Sequence, residues 1–388
     1  MAVALLSSAP PSQKLHLLFV NNSSHFSSRF PSSTYSFGHL RVTHHLKAAS
    51  EGRSIAAKLG DCSGELREIY ESCNSWKWKD YQVNYLVKGV GPPLLLVHGF
   101  GASIAHWRRN IGVLSEHHTV YAIDLLGFGA SEKPLGFAYT MEVWAQLMLD
   151  FLEEVIKKPT VLIGNSVGSL ACVIAASEST GDLVRGLVLL NCAGGMNNKA
   201  IVDDWRIKLL LPLLWLVDFL LKQRGIASAI FERVKERENL KNILLSVYGN
   251  KDAVDEDLVE IIKRPADDEG ALDAFVSIVT GPPGPNPVSL MPKLSLPVLV
   301  LWGDQDPFTP LDGPVGKYFS TLPSKCSNVK LHVLEGVGHC PHDDRPDLVH
   351  GQLLPWLPRQ RMEDSVRTAQ QEVRTMRQRI CWLVKLKD

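Results

Sequence analysis

The chain has 388 residues, 45% of them hydrophobic, and its 41 basic residues balance its 41 acidic residues. This is enough apolar material to bury one large core of about 280 residues, leaving the remainder for a targeting sequence, a lid or a tail. Between Glu51 and Pro358 the chain carries 29 basic and 37 acidic residues, so we expect no nucleic acid as a partner.

Residues 1–50 differ in composition from the rest of the chain. They contain 11 serines and four basic residues but no aspartate or glutamate. This composition is typical of an organelle transit peptide, and the apolar run from Leu15 to Val20 is too short for a secretory signal. A disordered serine-rich tail is the alternative, but it leaves the absence of acidic residues unexplained. We therefore predict a disordered transit peptide over 1–50.

Strands and helices alternate along most of the remaining chain. Trp76–Trp78 and Tyr81–Val87 have period two, which predicts an antiparallel hairpin, and Met141 to Ile156 has a helical pattern. Further strands are predicted near 94–97, 119–123, 160–163, 186–190, 297–302 and 329–334. This alternation predicts an α/β fold with a mostly parallel, eight-stranded sheet, helices on both faces and a site at the carboxyl ends of the strands.

A serine lies at a predicted turn between a strand and a helix. Ser166 is the centre of a G-x-S-x-G pattern at 164–168, which follows the apolar run Thr160–Ile163 and precedes a helical stretch from Leu170 to Ala176. This arrangement is the signature of a nucleophile elbow, in which a sharp turn exposes the serine hydroxyl at the top of the sheet. Ser166 is therefore the predicted nucleophile.

Backbone donors for a developing oxyanion are expected next to this serine. The strand at 94–97 ends in a glycine-rich turn, His98 to Gly101, whose N–H groups can face a negative charge. We assign the oxyanion hole to the backbone N–H groups of Phe100 and Val167. The imidazole of His98 is expected to be structural and not a second base.

A serine hydroxyl needs a base to take its proton and an acid to hold that base. Asp306 follows the predicted strand at 297–302, and His339 follows the one at 329–334, each in a loop. The chain order Ser, Asp, His is that of one class of serine hydrolases and differs from the orders of the two common protease folds. We therefore predict that His339 is the general base and that Asp306 is the acid.

Neighbouring residues offer competing interpretations. Asp304 is interpreted as a turn residue, whereas His342 is the local competitor of His339. Cys340 is interpreted as a packing residue, because adjacent residues seldom face one another productively. The seven cysteines show no C-x-x-C pair and no ligand spacing with histidine, so we expect free thiols, no metal and no cofactor.

About a hundred leucine-rich, helical residues, about 194–296, interrupt the alternation and are predicted to form a helical lid. Within it, Leu209–Val217 is apolar on every face, but it is too short to span a bilayer and Pro212 interrupts it. It is either a buried lid helix or a lid helix whose outer face meets a membrane or an apolar substrate. Residues 281–287, rich in glycine and proline, are predicted to return the chain to the sheet.

Residues 359–388 show a basic amphipathic helical pattern. Apolar residues recur there at spacings of three and four, with basic residues between them. Three readings remain open: a membrane-surface helix, a docking helix, or an extension that comes from an imperfect gene model. We assign no function to this segment.

Five phrases of the sequence carry a resemblance to a known family. They are HGFGAS at 98–103, YAIDLLGFGAS at 121–131, GNSVGSL at 164–170, LNCAGGMNN at 190–198 and GPPGPNP at 281–287. The chain resembles the α/β-hydrolase superfamily and, within it, the plant chloroplast chlorophyll dephytylases, relatives of pheophytinase. The first two phrases are found across the superfamily, and the last two narrow the resemblance to the dephytylase group.

The resemblance implies an α/β-hydrolase domain over 72–358 with the lid at about 194–296. It implies a chloroplast esterase that removes phytol from chlorophyll in chlorophyll turnover, with the magnesium belonging to the substrate. The expected partner is chlorophyll or a related phytylated pigment, and the expected location is the chloroplast, with peripheral contact to the thylakoid membrane. In this superfamily the loop Asp124–Ser131 shapes the entrance to the site, although a simple glycine turn explains it as well.

Two further functions remain open at this point. One is a plastid esterase or lipase of the same fold that acts on another apolar ester, such as pheophytin, a lipid or a terpenoid. The other is a ligand receptor that keeps the fold and the triad without turnover. Dehalogenases and epoxide hydrolases carry aspartate at the elbow, so Ser166 argues against both.

Overall fold

A computed structural model of the protein describes residues 63–197 and 216–357. The predicted transit peptide at 1–50, most of the apolar segment Leu209–Val217 and the tail 359–388 lie outside the described residues.

One eight-stranded sheet forms the centre of the fold. Its strands stand in the order β1-β2-β4-β3-β5-β6-β7-β8. The first two pairings in this order are antiparallel and all the others are parallel. The strands are β1 Cys73–Trp78, β2 Tyr81–Lys88, β3 Pro93–Val97, β4 Thr119–Ile123, β5 Thr160–Asn165, β6 Val184–Leu190, β7 Val298–Gly303 and β8 Val329–Leu334. The predicted fold class is confirmed.

Helices cover both faces of this sheet. β3, β5 and β7 are buried at every position, as expected for parallel strands with helices on both sides. The helices before the lid are α1 Gly64–Glu71, α2 Arg108–Ser115, α3 Met141–Phe151 and α4 Val167–Glu178. α3 continues into a π-helical turn at Leu152–Ile156, so the predicted helical run to Ile156 is present with a change of winding at its end.

Each face of the sheet has its own hydrophobic core. α3, α4 and a later helix at Pro314–Lys325 supply the first core, whereas α1, α2 and a final helix at 346–357 supply the second. α1 was not predicted from the sequence: it buries Leu66 and Ile69 in the second core, so the packed fold begins before residue 72.

The region between β6 and β7 contains helices and no strand among its described residues. The helices are α5 Arg224–Lys235, α6 Arg237–Val247, α7 Glu256–Ala266, α8 Ala271–Thr280 and α9 Pro287–Leu290, and helical residues 216–221 precede them. α10 Pro314–Lys325, α11 Pro341–Asp344 and α12 at 346–357 follow the strands β7 and β8. Within the described ranges, no helix combines the length and the apolar character that a membrane crossing requires.

Candidate active site

The turn from β5 into α4 holds Ser166 in a conformation that few residues adopt. Its backbone dihedrals are φ 55° and ψ −120°, and its N–H donates a hydrogen bond at 2.9 Å to the carbonyl of Leu190, at the end of the neighbouring strand β6. Gly168 lies so close to β3 that a Cβ atom there would stand 2.4 Å from the His98 carbonyl oxygen. A strained, tight turn of this kind between a strand and a helix is the conformation expected of a nucleophile elbow.

Ser166, His339 and Asp306 form one chain of hydrogen bonds. The Ser166 Oγ lies 2.8 Å from His339 Nε2, and His339 Nδ1 lies 2.8 Å from Asp306 Oδ2. An ionised carboxylate can only accept, so the imidazole proton belongs on Nδ1 and leaves Nε2 free to accept the serine proton. The structure thus brings together the three residues that the sequence placed 173 and 33 positions apart.

Asp306 is surrounded by donors. Its carboxylate accepts hydrogen bonds from the Phe308 and Thr309 N–H groups at 2.7 and 3.1 Å and from the Thr309 hydroxyl at 2.5 Å. Burial acts to raise the pKa of Asp306, but the charge and hydrogen bond of His339 and the bonds from Thr309 outweigh it and lower this pKa to about 2. Asp306 therefore remains ionised at neutral pH.

Asn191 was missed in the sequence analysis as a member of this site. Its side-chain amide donates to Asp306 Oδ2 at 2.6 Å, while its oxygen accepts from the Gly303 N–H at 3.0 Å. Asn191 follows β6 directly and has a positive φ of 44°, a conformation that asparagine tolerates better than most residues. A polar residue directly after a buried strand was the available signal.

The three residues that compete with the predicted acid and base make other contacts. Asp304 lies in a turn after β7, as predicted, but its side chain accepts a hydrogen bond from the distant Gly336 N–H at 2.8 Å and so links this turn to the loop after β8. His342 packs its ring 4.1 Å from the ring of Trp107, and burial holds its pKa well below the usual value. Cys340 belongs to a hydrophobic cluster, and burial raises the pKa of its thiol.

The turn after β3 lies beside the serine. Gly99 approaches the elbow so closely that a Cβ atom there would stand 3.0 Å from Asn165 Oδ1 and 3.3 Å from Ser166 Cβ. His98 Nε2 accepts from the Leu125 N–H at 3.0 Å and its Nδ1 lies 2.7 Å from the Gly99 carbonyl, so this imidazole links two loops. Phe100 and Val167 flank Ser166, and their role as oxyanion donors stays a prediction.

The loop Asp124–Ser131 borders the site and is built around one buried carboxylate. Asp124 accepts from the Ile104 N–H at 2.7 Å, from the Asn84 side chain at 2.8 Å and from the Ala130 N–H at 2.8 Å. The loop residues Gly127, Phe128 and Gly129 line the cavity next to Ser166. The segment is therefore a glycine turn that also forms part of the cavity wall.

Two cavities meet at Ser166 and His339. The larger, of about 180 Å³, lies between the core loops and the lid helices, and its apolar lining includes Phe231, Leu240, Leu244, Val247, Ile262 and Phe275. The smaller, of about 90 Å³, is lined by residues 193–197 and by the loop and helix start at 308–315. An ester bond at Ser166 can thus place its two halves in different cavities.

Two lysines line the larger cavity, and each faces a carboxylate. Lys133 Nζ lies 2.9 Å from Asp268, and Lys235 Nζ lies 2.8 Å from Glu232 and 3.1 Å from Asp267. These ion pairs compensate the charge of both lysines, so the apolar side chains dominate what the cavity offers to a ligand.

Over 63–197 and 216–357, no group of three or more His, Cys, Asp or Glu side chains is arranged to hold a metal ion. The cysteines of these ranges, at positions 73, 172, 192, 326 and 340, are free thiols.

Comparison with known proteins finds relatives whose names describe hydrolases. The chain is 28% identical over 266 residues to the uncharacterized hydrolase YugF of Bacillus subtilis, covering 68% of this chain and 89% of that protein. It is 27% identical over 344 residues to the chloroplastic pheophytinase of Arabidopsis thaliana, covering 76% of this chain and 68% of that protein.

A solved structure shows the same fold. A meta-cleavage product hydrolase from Pseudomonas fluorescens superposes with a TM-score of 0.60 at 20% identity, covering 75% of this chain and 99% of that chain. The sequence model of the alpha/beta hydrolase fold matches residues 92–346, which is more than half of the chain. The protein therefore belongs to the α/β-hydrolase fold family and is a hydrolase of that family.

Proposed function

We propose that the protein is a serine carboxylic-ester hydrolase that removes phytol from chlorophyll to give chlorophyllide. The observation that carries the esterase assignment is the hydrogen-bonded chain from Ser166 through His339 to Asp306 at the junction of two cavities. A serine activated in this way attacks an acyl carbon, and the chain order of the triad is that of this fold.

In the first half of the reaction, Ser166 Oγ attacks the carbonyl carbon of the propionate–phytyl ester while His339 Nε2 accepts its proton. The ionised Asp306 stabilises the imidazolium that forms and keeps its Nδ1 proton in place. The N–H groups of Phe100 and Val167 bind the developing oxyanion. His339 then protonates the leaving phytol, and an acyl-enzyme remains.

In the second half, His339 takes a proton from water, and the resulting hydroxide attacks the acyl carbon. The intermediate collapses, His339 returns the proton to Ser166 Oγ, and chlorophyllide leaves. Each half of the reaction uses the same imidazole, whose orientation the bond to Asp306 maintains.

The pigment substrate is supported by two observations. The Arabidopsis relative is named a chloroplastic pheophytinase, and its similarity extends over 76% of this chain. The larger cavity has a mainly apolar lining, which suits an isoprenoid chain. The acid-free composition of residues 1–50 supports import into an organelle, and the chloroplastic relative favours the chloroplast, where we place the protein in peripheral contact with the thylakoid membrane.

The test compares the full-length chain with its Ser166→Ala and Ser289→Ala variants on chlorophyll a in mild detergent, with pigments separated by chromatography. Ser289 is an exposed serine of α9 and serves as the matched control. We expect chlorophyllide from the wild type and Ser289→Ala, and a loss on the order of 10⁴–10⁶ in turnover for Ser166→Ala. Chlorophyllide formed at the wild-type rate by Ser166→Ala would refute the mechanism.

The same samples are tested on a p-nitrophenyl ester. Cleavage of this ester without chlorophyllide would keep the serine esterase and replace the pigment by another apolar ester. Binding of pigment without turnover on either substrate would instead favour a ligand receptor.

A further inference from the structure

The lid touches the loop of His339 directly. Residues 247–250, at the end of α6 and just after it, lie against the backbone of residues 336–339. The His339 N–H donates to the Val247 carbonyl at 3.0 Å. On its other side, the His339 carbonyl accepts from the Asn165 side chain at 2.9 Å. The peptide groups on both sides of the imidazole are therefore held by partners outside its own loop, one of them in the lid.

Two glycines allow this approach. A Cβ atom on Gly338 would stand 2.1 Å from the Val247 carbonyl oxygen, and one on Gly249 would stand 2.1 Å from the Gly336 carbonyl oxygen. Both contacts are backbone to backbone, so no side-chain movement would relieve them. The lid and the histidine loop are thus in contact at a distance that only glycine permits.

The carboxylate of Asp344 joins the same two segments. It accepts from the Gly338 N–H at 2.6 Å, from the Gly249 N–H at 2.8 Å and from the Asn250 N–H at 2.8 Å. Asp344 has 1% of its surface exposed, so these backbone donors replace water as its solvation. Three donors from two segments converge on this carboxylate, so its loss would remove one of the links between the residue before His339 and the lid.

A second set of hydrogen bonds links the lid segment to the core through the carboxylate of Asp343. Asp343 accepts from the Tyr248 hydroxyl at 3.1 Å and from Arg108 Nε at 3.0 Å. Tyr248 in turn lies 2.7 Å from His106 Nε2, and both of these rings line the larger cavity. The segment that contacts His339 is therefore also part of the wall that a substrate meets.

We propose that Asp344 is a positioning residue. By linking the loop of His339 to the lid segment 247–250, it holds the imidazole of His339 within hydrogen-bonding distance of Ser166. This inference rests on the proposed serine hydrolase function and extends it. Through this segment, the position of the His339 imidazole depends on the position of the lid. The lid therefore sets both the shape of the cavity wall and the alignment of the triad. A small displacement of a reacting group is sufficient to lower a rate about a hundredfold.

The test uses the full-length chain with two variants that disturb this contact in different ways. Asp344→Asn replaces one acceptor oxygen by an amide that cannot accept from a backbone N–H. Gly249→Ala leaves every polar group in place and adds a methyl group where the lid meets Gly336. Gly225→Ala in α5 is the matched lid control, because a Cβ atom there meets nothing within 4 Å.

Two readouts separate positioning from folding. The first is the rate at which a fluorophosphonate labels Ser166, and the second is kcat and KM on p-nitrophenyl acetate, both measured well below the melting temperature of each variant. For Asp344→Asn and Gly249→Ala we expect labelling and kcat to fall about ten- to a hundredfold, with KM for this small ester nearly unchanged. Gly225→Ala should label at the wild-type rate.

Wild-type labelling rates in folded Asp344→Asn and Gly249→Ala would overturn the inference. If Asp344→Asn does not fold, Gly249→Ala alone decides the question. A wild-type protein that neither reacts with the fluorophosphonate nor cleaves the ester would refute the proposed function instead. The two failures are therefore distinguishable.

Discussion

At the scale of single residues, Asp306 stays ionised because His339 and the hydrogen-bond donors around its carboxylate together outweigh the effect of burial on its pKa. Asn191 and the Thr309 hydroxyl both donate to Oδ2 of Asp306, the oxygen that also binds His339. An isolated buried carboxylate would take up a proton, whereas these donors stabilise its charge. The ionised carboxylate stabilises the imidazole of His339 when it becomes positively charged.

The Asp306→Asn substitution tests this role. We expect kcat on a p-nitrophenyl ester to fall on the order of 10⁴, because an amide cannot stabilise the imidazolium and can favour the wrong tautomer of His339. The control is Asp304→Asn, two positions earlier. The carboxylate of Asp304 accepts a hydrogen bond from the Gly336 N–H and, among the described residues, forms none with His339. This variant should keep kcat near the wild-type value. Comparable losses in both variants would show that the loop, and not the Asp306 carboxylate, determines the rate.

At the scale of elements, the packing of α4 against β3 positions the nucleophile. Gly168 in the first turn of α4 faces the carbonyl oxygens of Val97 and His98, at 2.5 and 2.4 Å from an added Cβ atom. The helix can therefore start directly behind Ser166 only if this position has no side chain. Gly168 is the last residue of the G-x-S-x-G pattern, and the close carbonyl oxygens of Val97 and His98 explain why the pattern requires glycine at this position.

The Gly168→Ala substitution should destabilise the protein by about 1–3 kcal/mol, since the added methyl group meets backbone atoms that cannot move aside. Gly112→Ala in α2 is the matched control, because a Cβ atom there meets nothing within 4 Å. That change should stabilise the protein by roughly 0.5–1 kcal/mol, the usual preference of a helix interior for alanine. Urea denaturation of both variants measures the difference, and equal midpoints would contradict the packing argument.

At the scale of the whole molecule, a pair of buried histidines lies near the contact between the lid and the core, where His106 Nε2 is 2.7 Å from the hydroxyl of the lid residue Tyr248. His106 and His342 are in contact at 3.3 Å between Nδ1 and Nε2, and they face Asp343, Arg108, His98 and His339. Burial lowers the pKa of His106 to about 4, despite the opposing charge of Asp343, and it also lowers that of His342. Both rings are therefore neutral in the folded protein at neutral pH.

This arrangement predicts a loss of stability in mild acid. Below pH about 6.5 the unfolded chain binds protons at these histidines and the folded chain does not, until the pH reaches the folded pKa values. The free energy of unfolding should therefore fall with decreasing pH, by up to about 1.4 kcal/mol per pH unit for each histidine. Urea denaturation between pH 7 and 5 measures this slope. His342→Phe should reduce it, and an unchanged slope would remove His342 from the explanation.

Much of the architecture could be read from local patterns. Strand positions, the helical run from Met141 and the turn at Ser166 follow from hydrophobic periodicity and from glycine placement, which act within a few residues. α1 was missed because its short amphipathic pattern lies beside the transit-like segment, outside the range of the resemblance. Asn191 was missed because its partner Asp306 is 115 positions away.

The sequence by itself determined the alternation of strands and helices along the chain after α1, the elbow at Ser166 and the candidate acid and base, because residue types and their spacing are local properties. The tertiary structure alone brought Asn191 to Asp306 and the lid segment 247–250 to the loop of His339. The physical reason is that crossover connections and lid packing decide which strand-end loops meet. Such contacts join residues about a hundred positions apart, as between Gly249 and Asp344, and no local pattern encodes them.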